Sequence, residues 1–344
     1  MRNLTFILAL LLLASCSKTG AVVADEPIKI GVIVPLIGPF APLGTEFQRG
    51  VQLAFEEATS QGLSVKVLYE DDIRITPSAV VAAGNKLINV DTVDVGITMI
   101  IEESKPVASM FEGAQTPLIV MWDANEHIKE SGEYLYSTGF STELAGQDVA
   151  DLAFDQGLRR IAILRHLEPW AQVIAPAFTE RFQNLGGTIV LDEDLPMDTV
   201  DFRTTILKIP EADGVFFAMF PTYSNNFVTQ VRQFREELVL FTGDAFTMDM
   251  IEAAGPAAEG VFLANVHAEQ ATILTEKYKE RFGVDPIAIE IFAMSYTGVQ
   301  EILPLLSKKP YKESFDAHFG PTQARAKLEQ LQVVKDGVPV PLRS

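Results

Sequence analysis

The sequence predicts an α/β protein built on parallel sheets, and three observations carry that expectation. Short apolar, β-branched runs of strand length alternate with segments whose apolar residues recur at helical spacing. The first such unit, Ile28 to Gly50, runs from an apolar strand through a loop holding Gly38, Pro39 and Gly44 into a helical pattern. That is how a parallel sheet opens. No low-complexity linker interrupts the alternation, and 344 residues suffice for two domains with separate cores.

Composition narrows the function classes. Hydrophobic residues make up 48% and charged residues 21%, as in ordinary globular proteins. A formal net charge of −19 argues against nucleic acid or an anionic membrane surface as partner, and otherwise serves solubility. At the N-terminus, Arg2 precedes the apolar run Leu4 to Leu13, too short to span a bilayer and typical of a secretory signal. It ends in Leu13-Ala14-Ser15-Cys16, and Cys16 is the only cysteine. A lone cysteine forms no internal disulfide. These residues resemble a bacterial lipobox, which implies cleavage before Cys16 and acyl chains on it, with an incidental Cys as the alternative. Several acyl chains hold a protein on a membrane where one chain binds marginally. Residues 1–15 are then a signal peptide and 16–27 a lipidated tether.

The elements follow in order. Ile28 to Val34 is the first strand, and Phe47, Val51, Ala54 and Ala58 place a helix over Thr45 to Ser60. Val65 to Leu68 is a strand running into Glu70-Asp71-Asp72, and Thr76-Pro77 opens a helix. Val95 to Ile101 and Pro117 to Met121 are strands, with a short helix from Ser104 between them. A second series starts with Ser141 capping a helix over Thr142 to Gln156, followed by strands at Ile161, Thr188, Val215, Val239 and Gly260 with helices between. Ala271 to Phe282 and Ile287 to Leu306 are two further helices. Beyond Pro310 two readings compete: a hairpin at Asp336-Gly337, or a helix over Ala324 to Gln332.

In parallel sheets ligands bind beyond the carboxyl ends of the strands. The strand-end loops supply Phe40; Glu102, Glu103 and Ser104; Trp122 and Asp123; Trp170; Phe220 and Tyr223; and Asp244 and Phe246. Both tryptophans fall in such loops, where an aromatic surface suits a pocket. Packing is the alternative for the aromatics, and complementing the dipole of a helix at Ser104 is the alternative for Glu102 and Glu103. The four histidines have no metal spacing, so no metal or cofactor is expected. No phosphate-binding glycine loop, zinc-type His pair or Gly-x-Ser-x-Gly elbow points to an enzyme.

The order of several pieces carries a resemblance. Ile30-Gly31-Val32, Gly38-Pro39-Phe40-Ala41, Gly44, Gly50, Glu70-Asp71-Asp72, Lys86-Leu87, Asp201-Phe202, Gly243-Asp244 and Ala257-Ala258-Glu259-Gly260-Val261 resemble the leucine/isoleucine/valine-binding family of type I periplasmic binding proteins. The resemblance implies two doubly wound lobes joined by a three-crossover hinge. Residues 28–138 plus 267–319 would form lobe one, and 139–266 plus 320–344 lobe two. It further implies a monomer that captures a small-molecule ligand by closing its lobes and serves the permease and ATPase of an ABC importer. An aromatic at Trp170 and an ammonium-receiving acid at Asp244 are implied likewise.

Departures from the family bear on the ligand. Leu43 stands where amino-acid binders have a tyrosine, and Glu102 and Ala124 fall near positions where they use hydroxyls. A ligand carboxylate facing desolvated Glu102 and Asp123 would be repelled. The expectation is a ligand other than a standard α-amino acid: an amine, a quaternary cation, or a hydroxyl- or amide-rich neutral molecule. A sensing or envelope-scaffolding lipoprotein that borrows the fold is the rival reading.

Overall fold

A two-residue repeat decides what each strand buries. In β1 (Ile28–Val34), Ile30, Val32 and Val34 pack into one apolar layer and Ile33 into the layer on the opposite face. The computed structural model describes residues 26–342 except 39, 74–75, 125–127, 220–222, 267 and 321–328. Cys16, most of the tether and the signal segment lie outside the described residues.

After β1 come α1 (Ala41–Ser60), β2 (Val65–Asp71), α2 (Pro77–Lys86), β3 (Val95–Thr98), α3 (Ile101–Ser104), α4 (Ala108–Gly113), β4 (Leu118–Val120), β5 (Asp123–Ala124) and β6 (Leu135–Ser137). All of these strands but β5 join one parallel sheet in the order β2-β1-β3-β4-β6. The second series is β7 (Phe140–Ser141), α5 (Thr142–Asp155), β8 (Arg160–His166), α6 (Ala171–Asn184), β9 (Thr188–Leu195), α7 (Arg203–Lys208), β10 (Gly214–Ala218), α8 (Ser224–Phe234), β11 (Val239–Phe241), α9 (Met248–Ala254) and β12 (Phe262–Val266). Here β8 to β12 form a parallel sheet in the order β9-β8-β10-β11-β12, while β7 pairs with β5 between the lobes.

The chain then returns to lobe one. α10 (Ala268–Phe282), α11 (Ile289–Ile302) and α12 (Tyr311–Phe319) pack with β1 and α1 in one apolar cluster. Two antiparallel strands, β13 (Glu329–Lys335) and β14 (Val338–Pro341), extend the lobe-two sheet beside β12. The hairpin reading of the C-terminus is therefore correct from residue 329 onward. Asp336 and Gly337 both take positive φ, 52° and 76°, as a two-residue hairpin turn requires.

Close approach explains two glycines of the first unit. A Cβ on Gly44 would sit 1.8 Å from the Pro35 carbonyl oxygen, and one on Gly50 would sit 1.9 Å from Ser295 Oγ and 2.5 Å from the Phe292 carbonyl oxygen. The first lets α1 start against the end of β1; the second lets α1 cross α11 at backbone contact.

Several boundaries differ from expectation, α1 starting at Ala41 instead of Thr45 and β3 ending at Thr98 instead of Ile101, and one shift bears on the cleft. The helix expected from Ser104 begins three residues earlier, at Ile101, because Glu103 folds back onto the backbone N–H groups ahead of it. Glu102 and Glu103 thus lie inside the first turn, not before it.

Candidate functional site

Both sheets reverse their winding direction between their first and third strands, β1 and β3 in one and β8 and β10 in the other. Ligands of doubly wound sheets bind outside the carboxyl ends at that reversal. A cavity of about 410 Å³ lies there, between the lobes. Lobe one lines it with Phe40 and Leu43 after β1, Met99 to Glu102 and Lys105 after β3, and Trp122 and Asp123 after β4. Lobe two contributes Glu168, Pro169 and Trp170 after β8, Met197 after β9, and Asp244 and Ala245 after β11. Its volume falls within the range of small-molecule sites.

The acids around it are tied to N–H donors. Glu103, buried just behind the wall, accepts the Met99 N–H at 2.7 Å and the Ile100 N–H at 3.3 Å. Asp123 accepts the Ile101 N–H at 2.7 Å. On the other side, Glu168 accepts the N–H groups of Trp170 at 3.0 Å and Ala171 at 2.7 Å, fixing the start of α6. Asp244 accepts both indoles of the protein, Trp122 Nε1 at 2.7 Å and Trp170 Nε1 at 3.0 Å. Trp122 packs in the lobe-one core and Asp244 follows a lobe-two strand, so the first of these bonds crosses the cleft. Glu290, at the start of α11, makes a second passage between lobes by accepting the Met248 N–H of α9.

Burial dominates the electrostatics. It pushes Asp123 up to about 7, with Asp244 and Glu102 adding repulsion against the lowering effect of the Ile101 N–H. Glu168 rises to about 7 for the same reasons, held back by its two backbone bonds. Asp244 rises to about 6, burial outweighing its indole bonds. Glu103 sits well above the carboxylate range, through burial first and the neighbouring Asp72 second. Lys105 is the cation among the cleft-lining residues, and its ammonium pairs with Glu102 at 2.8 Å.

Of the residues singled out from sequence, Phe40, Glu102, Trp122, Asp123, Trp170 and Asp244 come together on the cleft wall. Ser104 does not: it is fully buried behind the wall, its hydroxyl 2.5 Å from Thr98 Oγ1. Tyr223 also lies off the cleft lining, edge-on to the His166 ring at 5.2 Å. Phe246 is core, packed against Phe217, and Phe220 lies outside the described residues. Helix onset at Ile101 turns Ser104 inward, and Tyr223, at the start of α8, packs against His166 within lobe two. Glu168 was not singled out, although an acid followed by Pro169 just ahead of a helical pattern is a helix-start signal.

With this geometry in hand, the comparisons with known proteins are specific. A protein from Brucella abortus (strain 2308), Leu/Ile/Val-binding protein homolog 6, is 26% identical over 226 residues, covering 64% of this chain. The chain spans 57% of that relative's length. Among solved structures, an ABC transporter solute-binding protein from R. palustris in complex with 4-hydroxybenzoate superposes with a TM-score of 0.82 at 20% identity, covering 93% of this chain and 96% of that one. A branched-chain amino acid transporter substrate-binding protein from Streptococcus pneumoniae in complex with isoleucine gives 0.80 at 18% identity, covering 91% and 98%. The family model described as periplasmic binding protein matches residues 27–339. The chain therefore belongs to the periplasmic binding protein family, with the type I fold of its leucine/isoleucine/valine-binding members.

Proposed function

We propose that this protein is the solute receptor of an ABC importer, exported and held to the cell envelope through a lipid on Cys16, that closes its lobes on a small polar molecule. The observation that carries the reading is the Trp122–Asp244 bond across a cavity lined from both lobes. Opening the lobes breaks that bond and separates the walls, so any ligand touching both walls favours the closed arrangement by its differential contacts. Family membership and the solutes named for the two similar structures support the reading, since both are small enough for a cavity of about 410 Å³. We read it as a receptor and not a catalyst because the cleft carboxyls are tied to backbone and indole N–H groups instead of to a nucleophile.

Native mass spectrometry of the full chain is the direct test. The expected result is a small molecule retained at one per chain, whose removal expands the protein in small-angle scattering. A protein that carries no such molecule, and whose dimensions respond to no solute, would end the receptor reading. Retained binding with unimpaired uptake after deletion of the gene would favour sensing over import. Cys16→Ser is expected to move the protein from the membrane to the soluble fraction.

A further inference from the structure

We infer that the solute is an organic cation with an apolar or aromatic body and no carboxylate, an assignment that rests on the receptor reading and narrows it. Backbone N–H groups at helix starts and strand-end loops are what such a cleft offers to a carboxylate. Here the chain's own acids already occupy them. Glu103 takes two at Met99 and Ile100, Asp123 takes the Ile101 N–H, and Glu168 takes two at the start of α6. The indole donors go to Asp244, and the Lys105 ammonium goes to Glu102.

Where Asp123 and Glu168 are ionised, an entering carboxylate would meet their acceptor oxygens, with the Thr142 hydroxyl as a side-chain donor on the same wall. Asp123, Asp244 and Glu168 keep only 9%, 3% and 6% of their surface exposed, and none forms an ion pair among the described residues. The Ile101 N–H and Asp123's own backbone N–H donate to the Asp123 carboxylate, and neither brings a counter-charge. Buried carboxylates without a counter-charge gain most from a cation that shares their desolvated site. Phe40, Trp122 and Trp170 line the same space and supply aromatic surface to such a body.

The two charge types leave opposite signatures in pH. Asp123 and Glu168, each facing Asp244 and Glu102, hold protons near neutrality in the empty cleft. A cation drives those protons off, so its affinity rises with pH. An anion needs them retained, so its affinity falls as pH rises.

The test uses the full chain and matched probes on benzyl, isobutyl and cyclohexylmethyl frames: the ammonium, the trimethylammonium, the carboxylate, the α-amino acid and the amide. Thermal shift ranks them, and calorimetry at pH 5.5 and pH 8 in buffers of different ionisation enthalpy counts protons. Expected are cationic hits that bind at least about tenfold tighter at pH 8 and release protons. Asp123→Asn should weaken them about tenfold and flatten the pH dependence; Glu168→Gln provides the same check should the first variant fail to fold. A carboxylate, amino acid or amide that binds more tightly than its cationic counterpart overturns the cation assignment and leaves the receptor reading standing. Failure of every probe class overturns the receptor reading, and this inference with it.

Discussion

Lobe one and lobe two wind their parallel strands in the same relative order, yet their acids serve the cleft differently. On the lobe-one side, Glu103 and Asp123 spend their hydrogen bonds on that lobe's own backbone at Met99 to Ile101. On the lobe-two side, Glu168 does the same for the start of α6, but Asp244 reaches across to Trp122 while holding Trp170 of its own lobe. Three carboxylates therefore shape loops within a lobe, and one couples the lobes. Within the cleft the coupling rests on that one carboxylate, with the Glu290–Met248 bond as a second passage outside the cavity lining, whereas each lobe's stability lies in its packing.

That packing offers the sharpest contrast. Each lobe has a glycine where two helices cross. A Cβ at Gly50 would meet Ser295 Oγ at 1.9 Å and a backbone oxygen at 2.5 Å, whereas one at Gly146 would meet the Ile174 carbonyl oxygen at 2.5 Å and nothing else under 3.0 Å. Gly50→Ala is expected to cost about 3 kcal/mol and Gly146→Ala about 1 kcal/mol, after the helix-propensity gain of alanine offsets part of each. Urea unfolding of both variants checks the order. Equal losses would mean that lobe one repacks as freely as lobe two.

The coupling claim separates the two indoles. Trp122→Phe keeps a ring but removes the donor that crosses the cleft. A hydrogen bond to a charged acceptor contributes about 1.5–3 kcal/mol. The open population of the ligand-free protein should rise about tenfold or more, seen as increased distances between spin labels on the two lobes. Trp170→Phe removes a donor to the same carboxylate within lobe two and is expected to leave those distances unchanged. If both variants open the protein equally, Asp244 acts through its loop and not through the bridge.

A smaller effect comes from titration. Burial raises the Asp123 carboxyl to about 7 in the folded protein, against about 3.9 in the unfolded chain. Between these values the folded state holds the extra proton, so this group's contribution to stability is present near pH 4 and lost as pH rises through 7. Asp123→Asn keeps an oxygen for the Ile101 N–H and removes the charge. Its melting temperature should exceed that of the parent by about 2–4 °C at pH 8 and match it at pH 4.5. An equal gain at both values would assign the effect to packing.

The fold was legible because its signals are local. The apolar runs Ile28 to Val34 and Val215 to Met219 mark strands, and Gly44 and Gly50 mark backbone approaches that the structure explains. Six of the eleven residues supplied by the strand-end loops line the cleft, since a loop after a parallel strand has few places to go. What stayed hidden depends on side-chain direction and helix register. Ser104 turned inward when α3 began at Ile101, and Glu168 entered the wall through bonds to Trp170 and Ala171 that no periodicity displays. The bridging of both indoles by one carboxylate joins residues 122, 170 and 244, a relation that only the closed pair of lobes creates.

The mildest change tests where the wall ends. Ser104 sits one helical turn from the cleft-lining Ile101, but its hydroxyl bonds to Thr98 Oγ1 in a fully buried setting. Ser104→Ala removes that bond and strands the Thr98 hydroxyl, which costs about 1 kcal/mol of stability. Because the hydroxyl does not reach the cavity, affinity for whatever solute co-purifies should stay within about twofold, whereas truncating a direct polar contact costs about tenfold. Isothermal titration of the variant against the parent decides it. A tenfold loss of affinity with unchanged stability would put Ser104 on the cleft side of Thr98 when solute is bound, and would move the boundary of the lobe-one wall inward by one turn.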